Sequence, residues 1–233
     1  MAKKVLELNV DFKEQSKLGD NGSFSLQPLE RGYGTTIGNA MRRVLLTSIP
    51  GAAITHVKID GVQHEFSTID GVKEDVADII MNLKKVRFKL MDSAPDKVTL
   101  SIKGKKSFTA QDIQNASDQF EVLNPGEYIT EVNSKGKLDI ELRIGIGKGY
   151  VPSEANDMPN LSVGTLSIDS IFNPVTNVTF NVQPVPGAKD PIEILSLHVT
   201  TDGSITAKDA VSYTATYLRE HFKFIEAISN PSV

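Results

Sequence analysis

Cysteine is absent from all 233 residues. No disulfide framework, cysteine-ligated zinc or iron–sulfur site, or cysteine nucleophile is therefore available, and a reducing, cytoplasmic setting is the expected one. Long apolar runs are missing as well. The start, MAKKVLELNV, carries two lysines but moves at once into alternating apolar and polar residues, without the apolar run of a signal peptide. No stretch approaches the roughly 18 apolar residues that a membrane span needs, so no membrane partner is expected. The Asn-x-Ser/Thr sequons at Asn21, Asn115, Asn160 and Asn177 accordingly read as chance matches. Gly and Pro together make 28 of 233 residues and charged residues 23%, which excludes a collagen-like, low-complexity or wholly disordered chain. Positive charge is not in excess either. Lys plus Arg number 25 against 29 acidic residues, a net charge of −4, which argues against a surface that coats nucleic acid.

Apolar residues make up 39% of the chain, enough for one large or two small domains. The pattern predicts a strand at Val5–Val10, a hairpin turn at Asp20-Asn21-Gly22-Ser23 and a partner strand at Phe24–Leu29. A helix follows from about Thr36 to Ser48, closed by Pro50-Gly51. From 52 to about 183 the chain is mainly β, with a turn at Asp60-Gly61 and one helix at Val72–Leu83. Strands are expected at Val86–Leu90, Val98–Ile102, Phe120–Leu123 and Leu138–Ile146, the last with a clean period of two at Leu138, Ile140, Leu142 and Ile144. After Pro184-Val-Pro-Gly187 come a strand at Ile192–Thr200, a turn at Asp202-Gly203 and a long helix from Ala207 to about Ile228. Helices flank a β-rich middle, so the ends are expected to form one domain and the middle an inserted second one. The class is α+β.

The first helix has two faces. Ile37, Ala40, Met41, Val44 and Leu45 form a buried stripe, and Asn39, Arg42, Arg43 and Leu46 lie opposite. Two arginines with a leucine and an amide suit a contact surface, because Arg makes planar bidentate bonds while its stem packs. They equally suit a solvated face with one stray Leu. The last helix carries Val211, Ala215, Leu218, Phe222 and Ile225 at heptad spacing, beside a second stripe of Thr214, Tyr217, His221, Phe224 and Ile228. Such a surface fits either a dimer or a wide core face within one copy.

Residues that could carry chemistry do not assemble into a catalytic set. The four histidines lack metal-ligand spacing, His64-Glu65 is not followed by a second His, and no nucleophile elbow is present. Asp75 and Asp78, beside Glu74, could hold a cation or form the polar face of a helix. Gly32-x-Gly34-x-x-x-Gly38 approximates a dinucleotide fingerprint with its third glycine one place late, or is simply a tight turn into a helix. Gly145-Ile-Gly147-Lys148-Gly149-Tyr150 could form an anion nest, or a loop after a strand. From Lys84 to Lys106 eight basic residues face only Asp92 and Asp96, a local charge of +6, and Lys85, Arg87 and Lys89 alternate as if on one sheet face. A nucleotide- or nucleic-acid-binding module using the 32–38 turn or the 84–106 segment is therefore the alternative to a protein-contact role.

The run Leu29-Glu30-Arg31-Gly32-Tyr33-Gly34-Thr35-Thr36-Ile37-Gly38-Asn39-Ala40-Met41-Arg42-Arg43-Val44-Leu45-Leu46 closely resembles the first block of the bacterial RNA polymerase alpha subunit, N-terminal domain. The likeness continues through Ile59–Val62, His64–Thr68, Gly71–Val76, Asn82–Lys84, Gly147–Pro152, Asp169–Val175 and Thr201–Ile205, nearly the whole chain in order.

The resemblance implies a non-catalytic scaffold without a cofactor, a homodimer that recruits the beta and beta-prime subunits. It implies a dimerisation domain of residues 1–50 plus 172–233, built of antiparallel strands and two long helices, with a mainly β domain, 51–171, inserted. By the same likeness Ile37, Met41, Val44, Leu45, Leu218, Phe222 and Ile225 are expected at the dimer interface. Arg43, Leu46 and Asp78 are expected to contact beta, and Lys84 and Ile168 beta-prime. Many relatives have Glu where Asp78 stands, one methylene longer. Relatives usually continue into a small DNA-binding domain, whereas this sequence ends at Val233. DNA is thus expected to be reached only through the assembled enzyme.

Overall fold

A computed structural model describes residues 9–14, 19–90, 97–104, 106–156 and 161–226. Val5–Leu8 of the expected first strand, Asp92, Asp96 and Lys105 of the basic segment, the sequon at Asn160, and Ile228, Pro231 and Val233 lie outside the described residues. The chain divides into two units, one from both ends (up to Ile49 and from Pro174) and one from Pro50 to Asn173. Both mix helices with mainly antiparallel strands, so the α+β class holds.

In chain order the elements are β1 (Asn9–Glu14), β2 (Asn21–Glu30), α1 (Tyr33–Thr47), β3 (Pro50–Ile59), α2 (Val76–Leu83), β4 (Phe88–Leu90), β5 (Val98–Lys103) and β6 (Lys106–Thr109). There follow α3 (Ala110–Gln114), β7 (Phe120–Val122), β8 (Tyr128–Val132), β9 (Lys137–Lys148), β10 (Tyr150–Val151), β11 (Thr165–Ser167) and β12 (Ser170–Ile171). The chain closes with β13 (Val175–Pro184), β14 (Ile192–Thr201) and α4 (Ala207–Glu226).

The unit of the chain ends is a four-stranded sheet in the order β1-β2-β14-β13, every pairing antiparallel. Leu197 and Val199 of β14 point into one core with Phe24 of β2, and Leu195, two residues before Leu197, is buried as well. Met41 and Leu45 of α1 and Ala207 and Ala210 of α4 close that core. The expected hairpin turn at 20–23 is displaced. Gly22 lies within β2 opposite Glu14, and a Cβ there would stand 2.9 Å from Ala207 Cβ and 3.0 Å from the Phe12 ring. Shortage of space, not a turn, requires the glycine. The first helix also stops earlier than its proline suggests: the Ser48 N–H closes onto Val44 O, and Pro50 opens β3 opposite Lys148.

Helix α1 approaches its sheet unusually closely. A Cβ at Gly34 would come within 2.6 Å of Val182, and one at Gly38 within 2.6 Å of the Phe180 ring. Spaced one turn apart, the two glycines lay the helix backbone directly on β13.

The Pro50–Asn173 unit is built on a sheet in the order β5-β9-β3-β4-β7, with β11 added beside β3 and separate β6-β8 and β10-β12 pairs. The period of two in β9 is realised: Leu138, Ile140, Leu142 and Ile144 are all buried, against Ile79 and Leu83 of α2 among others. The glycines after them continue the strand to Lys148 instead of forming a nest. A Cβ at Gly145 would strike Thr55, and one at Gly147 the Phe172 ring. Helix α2 begins at Val76 rather than Val72, because the Asp75 carboxylate accepts the Asp78 N–H at 2.8 Å and caps the helix. Val72 instead bridges Val132.

An exposed helical Gly→Ala change gains about 1 kcal/mol. Gly38→Ala should instead cost about 1–3 kcal/mol, because the methyl group must displace the Phe180 ring. Urea unfolding of the two proteins checks the sign. Thr214 has a buried hydroxyl with no hydrogen-bond partner among the described residues, so Thr214→Val should gain about 1 kcal/mol by the same measurement.

Candidate functional site

The glycine turn before α1 receives a carboxylate. Gly32 takes the left-handed conformation, φ +89°, as the N-cap, and no capping side chain comes from the turn itself. The Gly32 N–H donates to Glu193 Oε1 at 3.0 Å and the Gly34 N–H to Glu193 Oε2 at 3.2 Å. A helix N-terminus presents unsatisfied N–H groups and a partial positive charge, which is where a phosphate would bind. Here the protein's own carboxylate fills that position. With no parallel strand pair among the described residues, the dinucleotide alternative at 32–38 is not favoured.

Helix α1 then turns one face outward. Met41, Val44 and Leu45 are buried in the unit itself, Leu45 completely, while Ile37 and Ala40 are half-buried. On the opposite side Asn39, Arg42 and Arg43 are exposed and Leu46 is half-buried at the core's edge. The two arginines differ. Arg42 Nε donates to Val178 O of β13 at 3.2 Å and so serves the fold. The Arg43 guanidinium forms no ion pair or hydrogen bond among the described residues.

Helix α4 changes character along its length. Its first half buries Ala207, Ala210 and Thr214. Val211 and Leu218 are half-buried, and every residue from Arg219 to Glu226 is exposed. Phe222 is 62% exposed, Phe224 77% and Ile225 61%. On the second stripe, Tyr217 stacks between Tyr213 and His221, and His221 Nδ1 lies 2.8 Å from Tyr217 O. The same unit contains an apolar groove of about 280 Å³ bordered by Phe24, Leu26, Ile37, Met41, Leu197 and Val211. Of the residues expected at a dimer interface, then, Met41, Val44 and Leu45 already lie in the unit's own core. Ile37 lines the groove, and Phe222 and Ile225 stand free.

In the inserted unit Asp78 is exposed on α2. Lys84, at the helix's end, pairs with Asp169 at 3.1 Å beside a cleft of about 380 Å³ that Thr165, Leu166 and Glu65 also line. The Lys84 ammonium, followed by the Ser153 N–H, holds the Asp169 carboxyl below its usual range despite some burial. Ile168 lies at the same cleft. It is only 3% exposed and belongs to the core, and it lines the cleft from below, beside Lys84, Leu166 and Asp169.

In the basic segment Lys85, Arg87 and Lys89 alternate with buried Val86 and Phe88, as expected. Strand β4 spans only Phe88–Leu90. Lys85 reaches Asn82, Arg87 donates to Ile171 O, and Lys97 pairs with Glu141 at 3.3 Å. Lys84 and Lys97 are thus paired with carboxylates, Lys85 and Arg87 are bonded to neutral oxygens, and the nucleic-acid alternative at 84–106 is not favoured. Among the described residues no cluster of His and acidic groups could hold a metal ion, and no helix is long and apolar enough to cross a membrane.

The sequence did not announce the partners of two carboxylates, Glu193 and Glu74. Glu193 stands 161 positions from the glycine it caps, and nothing in local spacing announces it. Glu74 accepts from Thr130 Oγ1 at 2.7 Å, Tyr128 OH at 2.8 Å and the Glu131 N–H at 3.1 Å, fastening the segment before α2 to β8. Partial burial opposes its charge, but these three bonds and the Lys73 ammonium outweigh it and hold the carboxyl below its ordinary 4.5. Burial and the Glu74 bond push the Tyr128 hydroxyl up to about 12.

Comparison with known proteins places these surfaces in context. The family model described as RNA polymerase Rpb3/RpoA insert domain matches residues 57–173. The chain is 49% identical over 221 residues to the DNA-directed RNA polymerase subunit alpha of Chlorobaculum tepidum, covering 94% of this chain and 67% of that one. It is 50% identical over 204 residues to the subunit of the same name from Salinibacter ruber, covering 87% and 62%. For Prosthecochloris aestuarii the figures are 52% over 213 residues, covering 91% and 65%. The chain thus spans about two thirds or slightly less of the length of these relatives.

The Glu74 bonds carry a pH signature. Because its folded value is depressed, the carboxylate stabilises the protein fully above about 4.5, and that stability is lost as pH falls through the folded value. Glu74→Gln should therefore lower stability at neutral pH and flatten the acid side of the pH–stability curve. Urea unfolding at a series of pH values checks this; a stability difference between the two proteins that stays constant from neutral pH to well below ~4.5 would contradict it.

Proposed function

This chain belongs to the family of bacterial RNA polymerase alpha subunits, and from that membership we propose that it is a non-catalytic assembly scaffold of the enzyme. It pairs with a second copy of itself and recruits the beta and beta-prime subunits to build the core that carries out DNA-templated transcription. Nucleotidyl transfer belongs to the assembled complex, and this chain brings no cofactor to it. The chain works in the cytoplasm.

One observation carries the pairing. The last turns of α4 expose Phe222, Phe224 and Ile225, and the same unit carries an apolar groove bordered by Ile37 and Met41. A two-fold dimer uses each surface twice, so the helix end of one copy enters the groove of the other. Burying each such side chain contributes about 1.5–3 kcal/mol, and the symmetry doubles the set. Leu218, half-buried at the start of the exposed stretch, continues the seam.

The outward face of α1 supports beta capture. Arg43 keeps a free guanidinium and Leu46 an apolar edge, the combination that protein interfaces favour. Asp78, exposed on α2, offers a carboxylate to beta. For beta-prime, Lys84 contacts at the cleft surface while Ile168 shapes the cleft from beneath.

Phe222→Asp combined with Ile225→Asp should yield a folded monomer, with native circular dichroism and half the wild-type mass by light scattering. A persistent dimer would refute the pairing. Arg43→Ala should remain dimeric but lose beta capture by ~2–5 kcal/mol, read as pull-down of purified beta.

A further inference from the structure

Three independent devices fix α1 on its sheet. Gly34 and Gly38 set its height over Val182 and Phe180. Arg42, bonded to Val178 O, limits its rotation. Glu193 pins its first turn through two amides. Glu193 is aimed there by a local irregularity: the β14–β2 register shifts between Glu193 and Leu195, so Glu193 pairs Leu29 while Leu195 pairs Leu26. A bulge of this kind redirects a side chain out of the strand's ordinary alternation. The carboxylate has a two-pronged grip, one oxygen on each amide, which fixes direction as well as distance. The helix is 15 residues long and carries Arg43 and Leu46 in its last two turns. A small change of angle at its first turn is therefore magnified at those side chains.

We infer that Glu193 is a positioning residue for beta capture, holding α1 in the orientation that presents Arg43 and Leu46; this rests on the scaffold function proposed above. Glu193 itself does not touch the partner. It acts through the helix backbone, and its loss changes where the outer face points rather than what that face carries. A purely stabilising cap would behave differently. Its loss would lower the unfolding temperature yet leave the affinity of the folded chain unchanged.

The test compares full-length chains carrying Glu193→Gln, Glu193→Ala or Arg43→Ala with the wild type. Dimer mass, unfolding temperature and dissociation constant for purified beta are measured well below the unfolding transition. Glu193→Gln keeps the side chain's size and one accepting oxygen, so it folds even where Glu193→Ala does not. Glu193→Gln should remain dimeric and weaken beta binding by about tenfold. Sodium formate should restore most of the affinity of Glu193→Ala by placing a carboxylate on the Gly32 and Gly34 amides, whereas sodium chloride at equal ionic strength should not. Wild-type affinity in the folded Glu193→Gln dimer, or a loss in Glu193→Ala that chloride repairs as well as formate, would overturn the inference. The Arg43→Ala arm separates the two claims. Normal capture by that variant sinks the scaffold reading at this face, while lost capture there with normal capture by Glu193→Gln sinks the positioning role alone.

Discussion

The seating of α1 on β13 governs much of what the chain-end unit can present. Helices usually stand off a sheet by the length of their side chains, but Gly34 and Gly38 remove that spacer, and Val182 and Phe180 fill the gap from below. The helix is then so close that its backbone rests directly on the Val182 and Phe180 side chains, which set its height. Its N–H groups are capped from the neighbouring strand by Glu193. One face is consumed by this packing, with Leu45 wholly buried. The other face, Asn39, Arg42, Arg43 and Leu46, is left with a fixed direction.

Much of this architecture was legible from periodicity. The buried set of β9 and the two-faced character of α1 follow from spacings of two and of three to four, which the structure keeps. Chemistry that depends on space or on distant partners was not legible. Gly22, Gly145 and Gly147 resemble turn or nest residues in sequence, yet each lies in a strand where a Cβ would strike a neighbour. Asp75 resembles one member of a carboxylate pair until its side chain is seen capping α2. The basic run looked continuous because its partners, Asp169 and Glu141, come from far along the chain.

The same limit applies to the contact surfaces. Heptad spacing cannot say which half of α4 is covered, because burial depends on where the helix leaves its sheet. It leaves after Leu218, so Phe222 and Ile225 are free while the equally apolar Met41 and Val44 are already used. Ile168 illustrates the converse: a position named by resemblance is buried, and its neighbours meet the solvent. The residues that organise the surfaces, Glu193 and Glu74, are carboxylates bonded to backbone amides and hydroxyls, a kind of group that composition counts only as charge.

The absence of cysteine makes a direct measurement possible, since Asn39→Cys would introduce the only thiol in the protein. Asn39 is exposed on the outer face of α1. Its rate of reaction with a maleimide reports whether that face is covered. The account predicts rapid labelling of the chain alone, as a dimer, and at least about tenfold slower labelling once purified beta is bound. Unchanged labelling in a complex shown by light scattering to contain beta would mean that the outer face of α1 is not where beta docks.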